Sequence, residues 1–226
     1  VRENDDNEYE VISIAADGTK NDIVTFTLDQ FDVVEKSTSG STTTTYIKYF
    51  KNSTDSSSIK KQLASNYAIT INGASKDIKY IFGDDTNDGV VAKAGKSQKG
   101  GLVTLIDNDG KTGYDVVMVE VAATAVVDEI GDETISFKEQ AQLPTGPMSS
   151  LDVEEDATDT VIDIVKDGKA IAYTDLKEWD VLSIVAPNEN NTGYIKVDVI
   201  SNPVTGQITS DKTSKTSATN KAYKID

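Results

Sequence analysis

The chain has 226 residues, enough for one large or two ordinary domains, and its 37% hydrophobic content suffices for a core in each. With 38 acidic against 22 basic residues it carries a net charge of −16. That argues against nucleic acid, whose phosphates need clustered Lys and Arg, and against an anionic membrane surface. There is no cysteine, which excludes disulfides and thiolate metal sites without deciding the compartment.

Residues 1–7 are charged and read as frayed, and the abrupt ends VRENDDNEYEV and AYKID read as those of a piece cut from something longer. No signal peptide or bilayer-length apolar run is present. Glu8 to Ala15 reads as a strand closed by the turn Asp17-Gly18. Asp22 to Val34 alternates well enough for one or two more strands, with Val24, Phe26 and Leu28 on one face. Ser37 to Thr43 reads as a Ser/Thr/Gly-rich loop, and Thr42 to Phe50 (TTTTYIKYF) is a strong β-branched and aromatic strand signal. Asn52 to Ala64 is the best helix candidate, capped by one of Ser56, Ser57 or Ser58, with Ile59 and Leu63 four apart. Tyr67 to Ile71 and Ile78 to Phe82 read as short strands around the turn Asn72-Gly73, and Gly83 to Gly101 as a polar loop.

The run Leu102 to Ile106 breaks on Asp107-Asn108-Asp109-Gly110 and resumes at Tyr114, which reads as a hairpin. Val117, Val119 and Val121 point to one face and Val116 and Met118 to the other, so this strand is expected to be covered on both sides. After Ile130 the pattern restarts. Thr134 to Phe137 is a short strand, and Gln142 to Asp159, with two prolines and a cluster of acids, is loop-like. Thr160 to Val165, the turn Asp167-Gly168 and Ala170 to Tyr173 form another hairpin; Asp175 to Trp179 suits one helical turn. Val181 to Ala186, Gly193 to Ile200 and Val204 to Thr209 read as strands, and the polar tail Ser210 to Asn220 precedes a last strand at Lys221 to Ile225. The period is close to 2 throughout. The expectation is an all-β protein of two small β-domains, sandwich or barrel-like, spanning 1–130 and 131–226, with at most one or two short helices.

Three segments in order, GLVTLIDNDGKTGYDVVMV, DIVKDGKAIAYTDLKEWDVLSIV and VISNPVTGQIT, resemble the β-modules of surface-layer and cell-wall-associated proteins of Gram-positive, clostridia-like bacteria. In those modules a V-x-L-I-D-N-D-x-D-G-x-x-D hairpin precedes K-D-G-K, L-K-x-x-D-V-L-S and a V-x-G-x-I strand. The resemblance covers about residues 100 to 210 and implies a secreted, wall-associated structural or adhesive protein whose partners are other surface-protein copies or wall components. The wall-gripping surface-layer homology repeats that the family often carries are not in this sequence, so wall binding is carried over to no residue.

Calcium takes six to eight hard oxygens, and Asp107, Asp109 and Asp115 offer carboxylates around a Gly-containing turn. Lys111 stands where a third early oxygen belongs, and an EF-hand register would put Leu105 first and Val116 twelfth, which fails. The alternative is a plain turn whose Asp and Asn side chains bond their own backbone. The acids at 84–88 and at 152–159 read as solvated surface or as further chelators. Trp179, the sole tryptophan, is either a sugar-stacking platform or a core residue ahead of VLSIV. Tyr46 and Phe50 share one strand face and Tyr49 takes the other, so at least one side is core.

Zero histidines remove Ser-His-Asp, Cys-His, His-zinc and haem chemistry. No glycine-rich phosphate loop occurs, and the 38 scattered acids mark no glycosidase pair. The expected function is therefore a non-catalytic extracellular structural or adhesive module of a surface-layer-type protein, with no cofactor, no nucleic acid and no membrane insertion. A carbohydrate- or surface-ligand-binding module, calcium-dependent in one version, is the alternative.

Overall fold

The computed structural model describes residues 2–3, 9–10, 23–52, 54–83, 89–90, 101–108, 110–154, 158–200, 208–213 and 221–225. The strands are β1 (Arg2–Glu3), β2 (Tyr9–Glu10), β3 (Ile23–Thr27), β4 (Phe31–Ser39), β5 (Thr42–Phe50), β6 (Ser58–Ile71), β7 (Ala74–Ser75), β8 (Leu102–Ile106) and β9 (Tyr114–Glu120). They continue as β10 (Ala123–Ile130), β11 (Thr134–Gln142), β12 (Pro147–Asp152), β13 (Thr160–Lys166), β14 (Lys169–Ala170), β15 (Val181–Val185), β16 (Gly193–Val199), β17 (Ile208–Thr213) and β18 (Lys221–Ile225). The protein is all-β, built on two curled sheets that form half-barrels.

The first sheet runs β3-β8-β9-β6-β5-β4, with β7 on the end of β6. Only Leu28–Gln30, a 3-10 turn, joins β3 to β4, yet these strands lie at opposite edges. Three residues span about 10 Å at most, so the sheet must roll until its edges approach. Phe26 of β3 stacks on Tyr49 of β5 inside the roll, 4.2 Å between ring centroids. The helix α1 (Ile78–Phe82) adds Ile78, Ile81 and Phe82 to this core. Its start is set by Asp77, whose carboxylate accepts from Lys79 N at 2.7 Å.

The second sheet runs β12-β11-β10-β15-β16-β13-β14. The run β3-β8-β9-β6-β7 of the first sheet recurs here as β10-β15-β16-β13-β14, including the single parallel pair, β6 with β9 and β13 with β16. The remaining hairpin sits against β6 in the first sheet and against β10 in the second. Read around a ring, the strand order is the same twice; only the open seam moves, from β3/β4 to β12/β13. Turn chemistry repeats as well. Asn72-Gly73 and Asp167-Gly168 both have positive φ, and the tripeptide Thr-Gly-Tyr at 112–114 and 192–194 carries Gly113 at φ +101° and Gly193 at φ +87°.

Several expectations are corrected. Residues 52–64 are not a helix: Ser58–Gln62 pair with Phe50–Tyr46 and the strand runs on to Ile71. The Lys- and Ser-bearing start of this strand pairs with β5 and its remainder with β9, and that pairing outweighs the helical spacing. Ile78–Phe82 is helix rather than strand, because the Asp77 cap decides it. The loop expected at 37–43 shrinks to a turn at Gly40-Ser41, and the one at 142–159 contains β12. The polar stretch after Ser210 belongs partly to β17. The strand after Tyr114 is covered on one face only, since Val117, Val119 and Val121 are buried while Met118 is exposed. Sheet pairing puts 123–130 with the second sheet, so the change of sheet falls at Val121-Ala122 instead of near residue 130. The periodicity pauses at Gly131, which is a hairpin turn within the second sheet. The turn at Asp17-Gly18 and most of the loop at 83–101 lie outside the described residues.

Candidate functional site

Trp179 sits third in the turn Lys177–Asp180, which is closed by Asp180 N donating to Lys177 O at 3.0 Å and by Lys177 N donating to Asp180 Oδ2 at 3.0 Å. Its φ is +75°, the value a type II turn requires at that place and that Gly or Asn ordinarily supplies. Two ladder-like bonds fasten the turn to β10: Trp179 N donates to Val127 O and Val127 N donates to Asp180 O, each 2.9 Å. The indole projects outward and is 62% exposed, which corrects the core reading. A side chain in the next strand's first inward place would be buried; a side chain at the outer corner of this turn is not.

Lys138 of β11 reaches over the indole, its Nζ 3.7 Å from the ring centroid. The same ammonium donates to Asp128 Oδ1 at 2.6 Å and to Glu178 Oε1 at 2.9 Å. Asp128 is the extra residue of a β-bulge, since Val127 pairs with Phe137 and Glu129 with Ser136. The bulge re-aims its carboxylate toward Lys138. Hydrogen bonds from Lys138 to Asp128 and then to Glu178 hold its pKa above the usual 10.5.

In the hairpin loop between β8 and β9, Asp107 Oδ1 accepts from Gly110 N at 2.7 Å and Asp115 Oδ2 accepts from Asn108 N at 2.8 Å. Both carboxylates bond the backbone of their own turn; Asp109 lies outside the described residues, as do 84–88 of the second acidic run and Glu155 and Asp156 of the third. Among the described residues no three acids gather as a metal-holding group. Of the aromatic residues on β5, Tyr49 is buried in the first core, whereas Tyr46 lies under Lys60, 3.9 Å from ring to Nζ.

A cleft of about 260 Å³ opens at the β12/β13 seam, with Ile162, Ile164 and Ile171 as its floor and Asp152 and Glu154 at its rim.

The junction between the sheets holds a residue whose role no sequence pattern announces. Asn72, 6% exposed, is the buried polar residue among the described ones. Its Nδ2 donates to Val121 O at 2.9 Å and to Ala186 O at 3.0 Å, while its Oδ1 accepts from Val121 N at 2.8 Å. Asn-Gly predicts the turn, but its partners lie 49 and 114 residues away. Lys138 was missed for the same reason.

Comparison of the chain with protein-family models, with curated proteins and with solved structures finds no match to any of them. No helix among the described residues is long and apolar enough to cross a membrane.

Proposed function

We propose that this chain is a non-catalytic structural module pair of an extracellular, wall-associated protein of surface-layer type. Its two half-barrels would act as a stiff spacer that offers lateral contacts to other copies or to wall components. One observation carries the reading: β9 passes into β10 through only Val121 and Ala122, and Asn72 grips both this linker and the end of β15. Domains that move freely have longer, more polar linkers. Here Val121 and Ala123 are buried and every polar atom of the Asn72 side chain has a junction partner. The resemblance of residues 100–210 to surface-layer β-modules, the acidic composition and the hairpin of edge strand β4 with the Thr-rich β5 support the setting.

The chain has no cysteine, so one introduced on β5 and one on β11 give unique spin-label sites. A single narrow distance distribution is expected, broadened in Asn72→Ala. A broad distribution in the parent chain would defeat the spacer reading.

A further inference from the structure

We infer that Trp179 is the platform of a saccharide-binding site, its ring stacking on a pyranose while Glu178, Asp128 and Lys138 face the hydroxyl groups. The site is separate from the spacer role and works whether or not the junction is stiff. Backbone strain is the first ground. A bulky side chain stands at φ +75°, where Gly would close the same turn without cost, and such outliers persist where a side chain is needed at that point. The second ground is presentation. Four backbone and side-chain bonds fix the turn to itself and to β10, so the exposed indole is held rather than free, and a ligand pays little to order it. The third is the surroundings. Lys138 covers one face of the ring and holds the carboxylates of Asp128 and Glu178 beside it, and Lys177 and Asp180 are the ends of the turn; none of the other exposed large hydrophobic residues among the described ones belongs to this turn. A protein partner would want a contiguous apolar patch around such an anchor. An exposed aromatic beside an ammonium and two carboxylates suits a ligand that is apolar on its ring face and hydroxylated at its edge.

Because Trp179 is the sole tryptophan, intrinsic fluorescence of the full chain reads this site alone. Titration with short β-linked oligosaccharides of glucose and of N-acetylglucosamine, and with a soluble Gram-positive wall polysaccharide, is expected to give a saturable emission shift and protection from acrylamide quenching with at least one probe. Calorimetric titration of Trp179→Gly, a substitution the turn accepts, should then show affinity reduced about tenfold or more, with Trp179→Phe between the two. Emission and quenching unmoved by all three saccharides would overturn the assignment, as would undiminished binding by a folded Trp179→Gly.

Discussion

At Trp179, conformational strain and exposure act in the same direction, so the residue weakens the fold it stands on. A left-handed conformation costs an L-residue about 1–2 kcal/mol, and glycine escapes that cost. Trp179→Gly is therefore expected to melt at or above the temperature of the parent chain, the lost Lys138 contact offsetting only part of the gain. A drop of several degrees would mean the indole supports the fold. Lys138 gives a pH test. Its folded-state pKa is raised, so its favourable interactions are fully present below the ordinary value of 10.5 and are lost as pH rises through the folded value. Emission of Trp179 should accordingly hold steady up to that pH and change above it, and Lys138→Met should abolish the change. Asn72 is the opposite kind of residue. Removing its amide leaves Val121 N, Val121 O and Ala186 O without partners in a buried junction, at about 1–3 kcal/mol for each orphaned group. Denaturant titration of Asn72→Ala should lose about 3 kcal/mol or more.

Among the elements, the two Thr-Gly-Tyr turns allow a matched comparison. A Cβ on Gly113 would meet the backbone of Leu63 and Ala64 at 2.6 Å, and its φ of +101° already disfavours any side chain. A Cβ on Gly193 would meet only the Pro187 side chain, at 2.9 Å. Gly113→Ala should therefore damage the first sheet far more than Gly193→Ala damages the second, a difference that thermal melts of the two variants would show. The β8–β9 loop invites a simpler measurement. Asp107 and Asp115 already accept backbone N–H bonds, so turn chemistry accounts for both. Melts in calcium and in EDTA are expected to superimpose; a rise of several degrees that vanishes in Asp107→Ala would instead make the loop a metal site.

For the whole molecule, the repeated ring order makes the chain two copies of one design with the seam placed differently. Each half buries its own hydrophobic core, from Phe26 to Val121 in the first and from Ala123 to Val199 in the second. The sequence alone determined the all-β character, the turns at Asn72-Gly73 and Asp167-Gly168 and the hairpin at 102–120, because alternation and turn residues are local signals. It misread 58–64 and 78–82, where a strand pair and a single Asp cap overrode spacing that suited either state. Only the tertiary structure decided which edges stay open, that Trp179 faces solvent under Lys138, and that Asn72 joins the halves. Each of these depends on groups brought together from 40 to 114 residues apart, and no local pattern encodes the rolling of a sheet that makes them neighbours.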